Sequence, residues 1–165
     1  MFMTQTIPPF STLSFQRPDE VFLRERYAAV AAYLDAGHRL EALQAFDVVR
    51  REYESWASHV YLPFSRKTQD EAAKAERDYA DRLSPVATDH EITIKKRLLA
   101  DPDRTGLMEI VTPHVVRLWE SDTTTFDPRI SHDLEEEARL TGEYTALLAS
   151  AKIPFDGKSL NLSGL

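Results

Sequence analysis

Five histidines, His38, His59, His90, His114 and His132, are the side chains of this 165-residue chain best suited to ligate a metal or pass a proton near neutral pH. None stands three or four residues from another, so no helix turn presents two imidazoles and no H-E-x-x-H zinc helix can form. His90-Glu91 begins that motif, but Ile94 occupies the place of its second histidine. The pair reads as a solvated helix position. His132 has Glu135 and Glu136 at i+3 and i+4, which puts one imidazole and two carboxylates on a shared helix face. Acidic residues gathered at a helix amino terminus account for that group through the macrodipole. The expected catalytic, cofactor-binding and metal residues in this chain are therefore none.

The remaining chemistry is excluded on similar grounds. There is no cysteine, which removes thiolate metal sites, cysteine nucleophiles and disulfides and points to a reducing, cytoplasmic setting. Five glycines occur, none in a phosphate-cradling loop, and no G-x-S-x-G elbow is present. Asp101 and Asp103 flank Pro102 and read as turn chemistry. The basic clusters Arg50-Arg51 and Lys95-Lys96-Arg97 read as solvated helix surface. With Lys plus Arg at 20 against Asp plus Glu at 27, the net charge of −7 opposes binding to nucleic acid or an anionic bilayer. The aromatics Tyr53, Trp56, Tyr61 and Phe64 are expected in the core. MFMTQTIPPF has no basic, apolar leader pattern, and no stretch reaches the ~18 apolar residues of a membrane span.

Apolar residues recur at three- and four-residue steps along most of the chain, which predicts one mostly all-α lobe over 1–165, an antiparallel bundle of amphipathic helices. After an extended lead-in over 1–16, helices are expected at about 18–36, 38–62, 68–100, 113–124 and 129–151. Pro18 is placed in the first turn of the first helix, Gly37 as its cap, and Pro63 as the end of the second. Thr68-Gln69-Asp70-Glu71 reads as a capping box opening the third. Pro85 is expected to kink that helix, and a short helical turn is expected near Asp103 to Ile110 before Thr112-Pro113 opens the fourth. Ile153 and Phe155, the Asp156-Gly157 turn, then Leu160 and Leu162 predict a small β-hairpin over about 152–164. An isolated hairpin is marginal in water, so further covering chain is expected.

The stretches FSRKTQDEAAKAERDYADRLSP (Phe64 to Pro85) and EARLTGEYTALLASAKIPFDGKSLNLSGL (Glu137 to Leu165) resemble the amino-terminal part of the oligoendopeptidase F family, zinc peptidases related to thimet oligopeptidase. The likeness runs over essentially the whole chain, and the last stretch is its most specific part. It implies a helical lobe that walls a deep channel, so that only short peptides reach a zinc held in a later lobe. The histidines and downstream glutamate that hold the zinc in that family have no counterpart here, so no family site residue carries over. On this resemblance the partners are short peptides and a carboxyl-terminal catalytic lobe, and part of the apolar surface should lack its usual cover. The rival reading is a stand-alone helical module without peptidase activity, which binds another protein or associates with itself.

Overall fold

The computed structural model describes residues 15–155 and 157–160 and is helical apart from one two-stranded hairpin. Helix α1, Glu20–Asp35, is capped by Asp19, whose carboxylate accepts the Phe22 N–H at 2.7 Å. Pro18 therefore precedes the cap instead of entering the first turn, and it is fully buried. α1 ends where Gly37 takes φ +74°: its N–H bonds the Leu34 carbonyl and the His38 N–H bonds that of Tyr33, a Schellman pairing that needs a left-handed residue.

α2, Arg39–Arg66, buries Ala42, Leu43, Phe46, Val49, Trp56, Val60 and Phe64. It runs through Pro63 for one turn more than the sequence suggests. A proline forfeits only its own N–H, and the Lys67 N–H reaches back to the carbonyls of Pro63 and Phe64, while the extra turn buries Phe64. The cap of α3, Glu71–Leu99, is Asp70 and not Thr68, because the Asp70 carboxylate accepts from the N–H groups of both Ala72 and Ala73 at 3.1 Å. Ala72 and Ala75 in its first turns are exposed; the buried set includes Ala80, Leu83, Ala87, Ile94 and Leu98. Pro85 lies within this helix.

α4, Arg104–Thr125, is two helices joined at a break where Thr112 adopts φ 70°, ψ 151°. Its cap, Asp103, accepts the Gly106 N–H at 2.9 Å and the Arg39 guanidinium at 3.0 Å. That backbone bond, followed by Arg39, holds the Asp103 carboxyl below the usual carboxylate range. Arg39 also reaches Asp101 at 2.9 Å, tying the start of α2 to the α3–α4 turn. A 3-10 turn, Pro128–Ile130, leads into α5, Ser131–Ser150, and then β1, Ile153–Phe155, pairs antiparallel with β2, Lys158–Leu160, with Ile153 opposite Leu160. The expected extension of the hairpin to 164, with Leu162, and most of the 1–16 lead-in lie outside the described residues.

Every other helix packs on α3. Its buried side chains meet Leu23, Tyr27 and Val30 of α1, the α2 seam, and Leu107, Val116 and Trp119 of α4 in a single core. Phe46 of α2 stands edge-on to Trp119 at 6.2 Å.

A β-branched residue at positive φ stores on the order of 1–3 kcal/mol of strain, and the side chain of Thr112 is exposed, so nothing packs against it to require a threonine. Thr112→Gly is therefore expected to raise unfolding stability by about 1 kcal/mol, net of the greater freedom of glycine in the unfolded chain. Urea unfolding checks this; a loss of stability would show the break to be unstrained.

Candidate functional site

The residues singled out in the sequence are dispersed. His38 and His114 are exposed, His59 lies against Phe15 with ring centroids 5.4 Å apart, and His90 stacks on buried Tyr27 at 5.4 Å and 16°. Trp56 and Phe64 are buried, with Tyr53 and Tyr61 packed beside the core. The basic clusters need correcting. Lys95 is only 6% exposed, its ammonium 2.6 Å from both Glu91 and Asp122, and Arg50 is half-buried with Glu54 at 2.9 Å and Glu91 at 3.4 Å. Both can leave water because acids from facing helices meet them, a pairing between distant positions that a local charge run does not reveal.

The described residues form two adjoining clefts along the α3–α5 boundary. One, of about 220 Å³, brings His132, Glu135 and Glu136 of α5 opposite Asp78 and Asp81 of α3. The sequence places the first three together; it gives no sign of the acids facing them. Two of the donors are engaged elsewhere. Glu136 takes a forked ion pair from Arg139 at 2.6 and 2.8 Å, which holds its carboxyl below the ordinary range. Asp81 is held by Arg77 and Tyr61. Among the described residues no three His, Cys, Asp or Glu side chains converge to hold a metal ion.

The second cleft, about 400 Å³, lies among Tyr61, Phe64, Arg77, Leu134, Thr141 and Thr145. Arg77 is its anchor and is only 6% exposed. Its Nε donates to Asp81 at 3.0 Å, its Nη2 lies 3.3 Å from Asp78 and donates to the Ala138 carbonyl at 3.4 Å, and its guanidinium sits over the Phe64 ring at 4.6 Å. Tyr61 donates to the other Asp81 oxygen at 2.5 Å; burial, then that carboxylate, pushes its ionisation well above the ordinary range, so it remains a neutral donor. Room for the guanidinium against α5 comes from Gly142, where a Cβ would stand 1.8 Å from Nη1.

Arg77 and this network were missed from the sequence. Gly142 was the available signal: a glycine inside a helix, away from its ends, usually marks a close approach. With each charge already answered, the arrangement can shape a surface and fix the pose of α5. It contains no activated nucleophile.

The chain matches the Peptidase M3 N-terminal domain over residues 10–126. A solved structure described as an oligoendopeptidase F is 30% identical and superposes with a TM-score of 0.85, covering 93% of this chain and 28% of its own. PZ peptidase A, solved with an inhibitor, is 28% identical with a TM-score of 0.86, covering 94% and 28%. An oligoendopeptidase F from Bacillus anthracis is 27% identical with a TM-score of 0.85, covering 93% and 29%. Comparison with curated proteins gives no match. The chain belongs to the Peptidase M3 N-terminal domain family, and it spans little more than a quarter of the length of these solved relatives.

Proposed function

We propose that this chain is the amino-terminal, non-catalytic helical lobe of an oligoendopeptidase-F-like zinc metallopeptidase, where it forms channel wall and limits the size of the peptides that reach the metal. The observation that carries this reading is the superposition of 93% of the chain on 28% of an oligoendopeptidase F at 30% identity. The zinc implied by that likeness does not fit the described residues. Their best gathering of donors, around His132, Glu135 and Glu136, has Glu136 committed to Arg139 and the facing Asp81 to Arg77, and His132 is the one imidazole there. Hydrolysis is accordingly assigned to the remainder of such an enzyme.

The role left to this chain suits its construction. A rigid helical bundle with clefts and internally paired charges offers shape to a passing peptide without competing for the chemistry. No described helix is long and apolar enough to cross a membrane, and we place the protein in the cytoplasm on its lack of cysteine.

Peptide turnover tests the proposal. The purified chain, given zinc, is expected to leave fluorogenic peptides intact and to bind no stoichiometric metal. Joined ahead of the remaining chain of an oligoendopeptidase F, it is expected to support cleavage of short peptides while long ones are excluded. Hydrolysis by the isolated chain with one zinc bound would overturn the reading.

A further inference from the structure

Helix α5 meets α3 through small side chains and presents large apolar ones on its other side. Ala138, Gly142 and Thr145 follow each other at four and three residues on the side that meets α3 and its Arg77. Leu140, Tyr144 and Leu147 follow the same spacing on nearly the opposite side, at ~100° per residue, and are 51, 62 and 67% exposed. Leu148 adjoins them at 36%. Exposed large apolar side chains on the other helices are mostly far apart in sequence, such as Val21 and Tyr33 on α1 or Leu40 and Leu62 on α2, whereas these four sit within nine residues. Asp133 and Glu137 occupy the same stripe in the first half of the helix, so it passes from acidic to apolar toward β1. A contiguous apolar stripe on the side turned away from the bundle marks a surface that something else covers.

We infer that the Leu140–Tyr144–Leu147 face of α5 is the seat of the polypeptide that, in the peptidase relatives, follows the segment matched here. The inference rests on the proposed function and adds the surface through which the lobe joins the rest of the enzyme. Three features select this occupant. More than two thirds of each solved relative lies outside its match to this chain, which is the family's N-terminal domain. β1 begins three residues after α5 ends and Leu160 pairs back onto Ile153, so chain continuing past the hairpin in those relatives leaves near the end of α5 that carries this stripe. A patch of this kind measures a few hundred Å², short of the ~800 Å² per partner that a stable bimolecular interface takes, so two copies meeting stripe to stripe lack the area. Chain tethered next to the patch needs no such area, because its effective concentration is already high. The covering surface should be apolar opposite the second half of α5 and basic opposite Asp133 and Glu137.

The natural absence of cysteine makes thiol labelling the direct test. Leu147→Cys, and Leu40→Cys as a control on α2, are each placed in the 165-residue chain and in the same chain extended by the remaining portion of an oligoendopeptidase F. Maleimide should modify Leu147→Cys at least ten-fold more slowly in the extended protein, with Leu40→Cys unchanged. Equal rates at Leu147→Cys in the two proteins would overturn the inference, even if the extended protein cleaves peptides and the proposed function stands. Protection without peptide cleavage would support the docking surface and remove the function. Concentration-dependent protection in the 165-residue chain alone would name a second copy as the occupant and overturn it as well.

Discussion

Trp56→Ala is expected to cost about 3–5 kcal/mol of unfolding stability, the range for removing a buried tryptophan and leaving its cavity. Trp56 is 3% exposed and stands edge-on to Tyr79 at 6.1 Å and tilted to Tyr53 at 5.8 Å. Tyr79 in turn donates to the Pro18 carbonyl at 2.8 Å and lies under the Arg17 guanidinium at 3.5 Å, so the indole underpins the strap that fastens the chain before α1 to α3. Trp56→Phe, which keeps an aromatic edge on Tyr79, should lose markedly less. Only two tryptophans occur, so Trp119 remains as the single indole fluorophore and reports the transition of the variant. A loss below about 1 kcal/mol in urea unfolding would mean that the site collapses around the missing ring.

Arg77→Met should be nearly as damaging, by about 2–4 kcal/mol, because it leaves an Asp81 carboxylate only 13% exposed without its cation and with the Tyr61 hydroxyl still on its other oxygen. Gly142→Ala attacks the same contact from α5. Alanine is the better helix former by about 1 kcal/mol, yet its Cβ would fall 1.8 Å from Arg77 Nη1 and push the guanidinium off its buried partners. Net destabilisation is expected. The double variant decides whether the two changes act through one contact: once the fork is gone, a flexible methionine can make room for the Cβ, so the combined loss should fall short of the sum by about 1–2 kcal/mol. Strict additivity in a double-mutant cycle would show that Gly142 is there for another reason.

These sites show where the sequence was readable. Stripes such as Leu23, Tyr27 and Val30, or Phe46, Val49, Trp56 and Val60, repeat at the helical period and end in the core as periodicity requires. Gly37 announced its left-handed turn, and Ile153 to Leu160 their hairpin. Pro63 misled because a helix near its end loses little by carrying a proline, and Thr68 because a better-placed aspartate stood two residues further on. Lys95 and Arg77 were hidden for a deeper reason. Whether a cation is buried depends on Asp122, or on a glycine 65 positions away, and that information exists only once α4 and α5 have docked. The grouping of His132, Glu135 and Glu136 is legible, and so is its dipole explanation; the claim of Arg139 on Glu136 is a choice among several helix neighbours that only the folded helix settles.

The central position of α3 bears on how the protein comes apart. Since α1, α2, α4 and α5 each lean on that one helix, excising it leaves α4 and α5 with little to hold them to α1 and α2, which keep only their contact with each other. Melting should accordingly proceed as an all-or-none event, with α5, moored along one flank only, as the segment that frays ahead of it.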